Sequence, residues 1–585
     1  MTHGVDRDRY THRLSIEFGG RRQPPHQSRL KSSTPTHSTR LLQMETTEAI
    51  ATRALGDDQL VYLRPDIKVE PLLFGWHAWP HLIAPLQHGL NIINRHTAIM
   101  RSFIMNPSVH LAAVSNPAMS GGPFIGLPAS QTSAVRDLLD ATTRDCRELI
   151  DVANAYLEFD RGLQSSATGF SLEEHYDSIP APLKGLVELF YDVNSHPKIR
   201  FFEQLLWDLR LNIHGQQLYI GPMADDERKF FMSNPRISAD HGIIRTIPFS
   251  DPAIDAIAAA RCEGASYRDV KTVLAADTAG SINPEPFLTL EPPEQTLRSV
   301  SEAPSSVRVR YFGHACVFIE TADTSVLLDP VLAWEDHPDG RYTYYDLPSR
   351  IDHIAISHGH HDHFYPESLL QLRWKTGRVV VPTSNTGSVA DPSLKLILRQ
   401  LGFQDVVALD PFDEVKIPGG RIISLPFPGE HADLDIYTKQ SLCVEVEGRR
   451  LLFLVDSNAL DLALYTRLAE RLGPIDMLFL GMECHGAPLN WLYGPLLSQP
   501  ITRKNDESRR LSASKAERAW QVVSELNPAK VFLYAMGQEP FLAHLTGLAY
   551  NEDSIQLREA GKFVALCQEN GVNVRHLNGS QELHF

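Results

Sequence analysis

The sequence is short of positive charge. In 585 residues, 55 Lys and Arg stand against 71 Asp and Glu, a formal net charge of −16. A general nucleic-acid binder needs cationic surface for phosphates, so the balance argues against that class, and docking on anionic membranes is disfavoured. No uninterrupted apolar run approaches the roughly 20 residues that span a bilayer. The first residues lack the apolar segment of a secretory signal. Cysteine is scarce: Cys146, Cys262, Cys316, Cys443, Cys484 and Cys567 are scattered, with no CxxC pair. That argues against a disulfide scaffold and a thiolate zinc site, and for separate thiols in a reducing cytoplasm.

Two stretches lack apolar periodicity. Residues 1–44 are rich in Arg, Ser, Thr, Pro and His and cannot bury enough surface to offset their ordering entropy. They read as a disordered tail, a transit peptide, or extra residues upstream of a start at Met44. Residues 276–306 mix Pro284, Pro286, Pro292, Pro293 and Pro304 with Ser and Glu and read as a linker. Apolar content is 43% over the whole chain, normal for a globular protein, and the chain is too long for one core, so two or more domains are expected. The first covers 45–275 and is mixed α+β, a scaffold or dimerisation domain without the spacing of a catalytic constellation. Within it, residues 133–160 have the i, i+3, i+4 apolar spacing of one long helix. His77 and His81 are four apart, but Pro80 between them opposes a continuous helix.

From 307 onward short apolar strands appear, first in series and then alternating with helices. That order suggests stacked sheets covered by helices. Strands are expected over 307–311, 316–320, 326–329, 354–356, 379–381, 421–425, 442–447, 451–455, 477–480 and 531–534. Helices are expected near 366–373, 461–472 and 514–526, the last opened by a Ser514/Glu517 capping box.

The chemistry concentrates where one of these strands ends, in Ser357-His358-Gly359-His360-His361-Asp362-His363. A tight loop there can bring several nitrogen and oxygen donors together, with His358 and His360 on one ion and Asp362 and His363 on a second. Pro428-Gly429-Glu430-His431 places a Gly before two more donors, either of which could reach the metals. Asp456 ends the apolar run Leu451–Val455; a carboxylate there is costly unless paired or metal-bound, and it can bridge two ions. His314, in a Gly-His turn, can sit near the pocket. Asp329 is expected to orient the metal loop. Glu483 and His485 could orient substrate or tune the metals. Arg503, Lys504, Arg509 and Arg510 form a basic run that could attract an acidic partner.

The loop and Asp456 resemble the signature of the metallo-β-lactamase superfamily, which implies an α/β fold, an αββα sandwich, for 307–585. Two features depart from its zinc hydrolases: no histidine follows the strand near 531–534 until His544, and Glu430-His431 replaces a lone histidine. The pattern, together with the stretch from Tyr62 to His81, resembles the di-iron β-hydroxylases of nonribosomal peptide pathways. The resemblance implies that His358, His360 and Glu430 hold one iron, that Asp362 and His363 hold the second, and that Asp456 bridges, with His431 beside them. It implies a cytoplasmic monooxygenase using O2 and an external electron donor. Its substrate would be an amino acid held through phosphopantetheine on a nonribosomal peptide synthetase carrier domain. An electron-transfer partner and a homodimer through the N-terminal domain are further expectations. The alternative is a hydrolase of esters, lactones or phosphodiesters with two zinc ions and His431 as ligand; a scaffold with a purely structural metal is the third reading.

Overall fold

The computed structural model describes residues 55–237, 242–274, 284–294, 304, 306–335, 340–547 and 550–585. The expected tail over 1–44 and most of the expected linker lie outside the described residues.

Two seven-stranded sheets stack in the C-terminal half. In chain order the strands are β1 (Arg308–Gly313), β2 (Cys316–Glu320), β3 (Ser325–Leu328), β4 (Ile351–Ala355), β5 (Thr376–Pro382), β6 (Val406–Leu409), β7 (Glu414–Ile417), β8 (Gly420–Leu425), β9 (Ser441–Val446), β10 (Arg449–Phe453), β11 (Met477–Gly481), β12 (Lys530–Tyr534), β13 (Val574–His576) and β14 (Gln581–Leu583). The first sheet runs β6-β5-β4-β3-β2-β1-β14 and the second β7-β8-β9-β10-β11-β12-β13. Each begins with antiparallel pairs and turns parallel, at β3–β4 and at β10–β11.

Period-two alternation explains why the sheets stack. Leu442, Val444, Leu451, Phe453, Met477 and Phe479 point inward to meet Val309, Val317, Ile319 and Val380 of the first sheet. Their neighbours Cys443, Leu452, Leu478 and Leu480 point outward, onto the helices Leu462–Leu472, Ala516–Leu526 and Ile555–Glu569. Each of these buried side chains contributes about 1.5–3 kcal/mol. The outer face of the first sheet packs instead into a core shared with the N-terminal region, where Phe318, Ile354 and Val381 join Trp76, Leu82 and Phe249.

That N-terminal region contains a four-stranded sheet, ordered Trp76–His77, Ile67–Leu73, Gln216–Pro222, Ile243–Thr246, and a helical layer. The helix expected over 133–160 is two helices, Thr132–Asp145 and Arg147–Ser166, hinged at Cys146. Thr142 and Thr143 hydroxyls bond back to the carbonyls of Leu138 and Leu139, a pattern that bends helices. His77 ends a strand, whereas His81 lies in a short helix opened by Pro80. Residues 284–294 are not free linker: Leu288–Thr289 pairs with Leu60–Leu63, and Phe287 and Leu288 are buried. The capping box is also corrected. Ser514 Oγ accepts from Ala459 N–H (2.8 Å), and the helix start is capped by Glu559, which accepts from Ala516 N–H (3.2 Å). Among the described residues no helix is long and apolar enough to cross a membrane.

Candidate metal centre

The strands deliver their donors at one end of the sandwich. The metal loop follows β4, the Glu430 loop follows β8, and Asp456 stands three residues past β10. Several of these turns need left-handed backbone at non-glycine residues: His314 (φ 50°), Asp329 (φ 37°), Glu430 (φ 63°), Val455 (φ 51°) and Ala535 (φ 53°). Such conformations cost of order 1 kcal/mol or more each, and they gather at this one place. Gly481 leaves room for Asp456; a Cβ there would lie 2.7 Å from Asp456 Oδ1.

A hydrogen-bond relay sets the imidazole tautomers. Asp329 accepts from Ser357 N–H (2.7 Å), Ser357 Oγ–H (2.6 Å) and His363 Nδ1–H (3.0 Å). Because the Ser357 hydroxyl proton goes to Asp329, its oxygen accepts from His358 Nδ1–H (2.9 Å). Both His358 and His363 thus turn Nε2 inward, toward the metal site. His360 meets the Tyr493 hydroxyl through Nε2 (2.9 Å) and turns Nδ1 to Glu430 Oε1 (2.9 Å). Asp456 Oδ2 lies 2.9 Å from His363 Nε2 and 3.9 Å from His358 Nε2, between the two halves of the site.

The donors fall into overlapping groups, each within 4.8 Å: His358, His360, Glu430 and His431; His358, His363 and Asp456; His314, Asp362 and His363. His314 Nδ1 accepts from Gly537 N–H (3.2 Å), so its proton sits on Nε2, which points at Asp362 Oδ2 from 3.4 Å. That tautomer orients Asp362 rather than offering a lone pair. His361 turns away and donates to the Leu545 carbonyl (3.0 Å). His544, the late histidine of the sequence, is engaged by Tyr365 OH (3.1 Å) and the Phe541 carbonyl (2.8 Å) and stays out of these groups.

The residues fit a pair of metal ions. His363 Nε2, Glu430 Oε2, His431 Nε2 and Asp456 Oδ1 are buried without an aligned hydrogen-bond partner, an expensive condition unless a cation meets them. Mixed imidazole and carboxylate donors suit first-row divalent metals. Burial works to raise the Asp362 carboxyl, but His363, His314 and His361 hold it well below the usual range. For Glu430, burial is likewise outweighed, by His360 and His431. Burial pushes Asp456 up, against the pull of His363. Burial lowers the His431 imidazole to about 4, against the pull of Glu430. Burial also works to lower His363, but Asp456, Asp362 and Asp329 hold it well above its ordinary range. The site is one that draws positive charge.

Above it opens a cavity of about 600 Å³, floored by His360, Asp362, Glu430 and Asp456 and walled by Glu483, Trp491 and Leu511. Part of the wall is Met119–Phe124, from the N-terminal region, held by Trp491 Nε1–H donating to the Gly121 carbonyl (2.6 Å) and Ser233 Oγ–H to the Gly122 carbonyl (2.7 Å). Nothing in the sequence marked that segment or Tyr493, beyond the Gly121-Gly122 pair that hints at close backbone approach, and Ser357 was read only as part of the loop, without a role. His485 lies at the cavity's edge and is exposed. The basic run is split: Arg509 donates to the Ala432 carbonyl (2.8 Å) and Arg510 to the Gly486 carbonyl (2.7 Å), whereas Lys504 and Arg503, the latter bonded to Glu507 (2.6 Å), stay exposed. The first two arginines brace the Glu430 and Glu483 loops.

Residues 62–292 match the N-terminal domain of the diiron non-heme β-hydroxylases, and residues 308–480 match the β-lactamase superfamily domain. Over 526 residues the chain is 34% identical to the 4-amino-L-phenylalanyl-[CmlP-peptidyl-carrier-protein] 3-hydroxylase of Streptomyces venezuelae, covering 88% of this chain and 98% of that protein. The crystal structure of CmlA, a diiron β-hydroxylase from Streptomyces venezuelae, superposes with a TM-score of 0.83 at 33% identity, over 90% of this chain and 100% of that one. A metal-dependent hydrolase of Listeria monocytogenes is 25% identical over 184 residues, 30% of this chain and 72% of the relative.

Proposed function

The chain belongs to the diiron non-heme β-hydroxylase family, and on that premise we propose that it hydroxylates the β-carbon of an aminoacyl group held as a thioester on a nonribosomal peptide carrier domain. His358, His360 and Glu430 would hold one iron, Asp362 and His363 the other, and Asp456 would bridge them. Bound there, the irons would supply the activation of O2 that C–H hydroxylation requires. The balance is one C–H bond, one O2, two electrons and two protons giving C–OH and water, with the electrons from an external donor protein. Around that centre the chain's own side chains orient and enclose. Asp329 and Ser357 fix the imidazole tautomers, and His314 steers Asp362. His431 abuts Glu430, its Nδ1 2.9 Å from Glu430 Oε2. The cavity wall of Trp491, Leu492 and Leu511 limits water at the floor.

The observation that carries this reading is Glu430. Its left-handed backbone turns a carboxylate onto His360 at 2.9 Å. With Asp362 and Asp456 that makes three carboxylates beside three imidazoles. Such an oxygen-rich donor set stabilises iron in its higher oxidation state. The test is metal analysis and the optical spectrum of the full-length protein from its native host. About two irons per chain, a near-ultraviolet band that bleaches on reduction, and O2 uptake only with electrons supplied are expected; two zincs with turnover of simple esters would sink the reading.

The same reading includes the division into 45–275, 276–306 and 307–585, amended in that the strand Leu288–Thr289 of the middle stretch belongs to the N-terminal domain, with that domain as a homodimer surface. Exposed Met105, Val109 and Val114 on two successive helices support that surface. Light scattering of the purified chain should give twice the chain mass.

A further inference from the structure

Four acidic side chains line the cavity: Asp362, Glu430, Asp456 and Glu483. Three belong to the ligand set above. Glu483 does not. It stands two residues beyond β11, where its carbonyl accepts from Ala513 N–H (3.1 Å), so the backbone is pinned while the carboxylate reaches into the cavity. Among the described residues its side chain has no hydrogen bond or ion pair. Arg510 lines the same cavity and interacts electrostatically with Glu483, but its Nε is committed to the Gly486 carbonyl at 2.7 Å, the loop position next to His485, and it forms no ion pair with Glu483. Burial first, and then Asp362, Asp456 and Glu430, hold the Glu483 carboxyl well above the usual carboxylate range in the absence of a cation. A carboxylate in a mostly apolar cavity is costly until a cation meets it.

We propose that Glu483 receives the α-ammonium of the carrier-bound aminoacyl group and so sets its β-carbon, rather than a more distant carbon, over the metal centre; this rests on the carrier-thioester reading. The ammonium and Cβ are both bonded to Cα, so holding one at a fixed wall restricts the other to a short arc. The thioester, the third substituent, then leaves toward the cavity mouth. An acyl group without a free amine has nothing to offer Glu483. The enzyme therefore acts after the reaction that loads the amino acid as a thioester and before the one that acylates its nitrogen.

The test uses full-length, metal-loaded protein and isothermal titration calorimetry. Pantetheine thioesters of the twenty standard amino acids and of 4-amino-L-phenylalanine identify the tightest probe, which is then compared with its des-amino and N-acetyl counterparts. Wild type should prefer the free-amine probe by about 10- to 100-fold, the range of a charge-assisted hydrogen bond. E483Q should bind all three alike, with metal content and optical spectrum unchanged. E483D, which keeps the charge on a shorter stem, should retain a several-fold preference. An E483Q protein that still discriminates overturns the role of Glu483 while leaving the carrier-thioester reading intact. A loss in E483D as complete as in E483Q assigns the effect to packing and also overturns it. Wild type that binds no thioester overturns the underlying reading, and this inference with it.

Discussion

Two buried clusters of carboxylates and imidazoles lie close together in this protein, and only one is built for metal. Glu70, His77 and Glu367 bring three donors within 4.8 Å of one another, as the metal loop does. Here, however, cations are already present. Arg228 grips Glu367 with both terminal nitrogens (2.8 and 2.6 Å) and reaches Glu70 (3.2 Å), and Arg236 takes the other Glu70 oxygen (2.6 Å). Trp334 donates to Glu367 as well. The carboxylate lone pairs are spent on guanidinium forks, so this cluster joins the N-terminal strand Ile67–Leu73 to the helix Pro366–Leu372 just past the metal loop. At the metal centre the described residues supply no arginine or lysine ion pair to Glu430, Asp362 or Asp456; the partners are imidazoles, and several polar atoms stay orphaned. Donor count does not separate a metal site from a structural joint. The charge that the protein itself supplies does.

The sharpest way to break this contrast is to remove a donor from each. Asp456→Ala and Glu430→Ala should each lose metal and turnover by more than the roughly 10- to 100-fold typical of groups that merely orient a ligand, read by metal analysis and product formation. His431→Ala should keep its metal; if it loses metal and Glu430→Ala does not, the imidazole is the donor. Arg228→Met should do the opposite at the joint. It leaves two buried carboxylates short of a cation, a loss of about 3–5 kcal/mol seen as a lower thermal midpoint, with metals per chain unchanged at room temperature. An Arg228→Met protein that folds with normal stability and takes up an extra metal would erase the distinction.

The sequence carried the inner architecture well because that architecture is periodic. Leu442, Val444 and Val446 alternate inward, and the His-rich loop follows a strand, so stacked sheets and a loop rich in candidate donors were legible in the sequence. What could not be read is held together by contacts distant in sequence. Met119–Phe124 reaches the cavity from about 240 residues before the metal loop. Tyr493 holds His360 from 133 residues away. Glu559 caps a helix that a local Ser514/Glu517 pair was expected to cap, because Ser514 is drawn to Ala459 instead. Half of the basic run at 503–510 is tied down for the same reason: charge is local in sequence, but the carbonyls that Arg509 and Arg510 hold are 77 and 24 residues off. Residues 284–294 read as linker because their proline content hides one buried pair, Phe287 and Leu288.

A finer comparison concerns how each cluster is held from outside. Asp329 serves the metal loop through three hydrogen bonds on two oxygens. Asp329→Asn keeps one acceptor and presents an amide to a hydroxyl and an imidazole that both need to donate. A fall in metal affinity of about 10- to 100-fold is expected, with turnover recovering when metal is supplied in excess. If affinity is unchanged, the relay from Asp329 to His363 does not set the tautomer.

The smallest expected effect is the pH response of the joint. Burial works to raise the Glu70 carboxyl, but Arg236, His77 and Arg228 together hold it well below its ordinary value of 4.5. A carboxylate depressed in the folded state contributes stability above its unfolded value and loses that contribution as pH falls toward the folded one. Between pH 7 and 5 the joint should therefore be nearly insensitive, and the thermal midpoint should decline only below about 4.5. Glu70→Gln removes the titrating group, so its midpoint should start lower but fall less steeply over that acid limb. Acid limbs of equal slope in the two proteins would mean that Glu70 does not carry the response, and that the guanidinium forks do not hold its charge as the geometry implies.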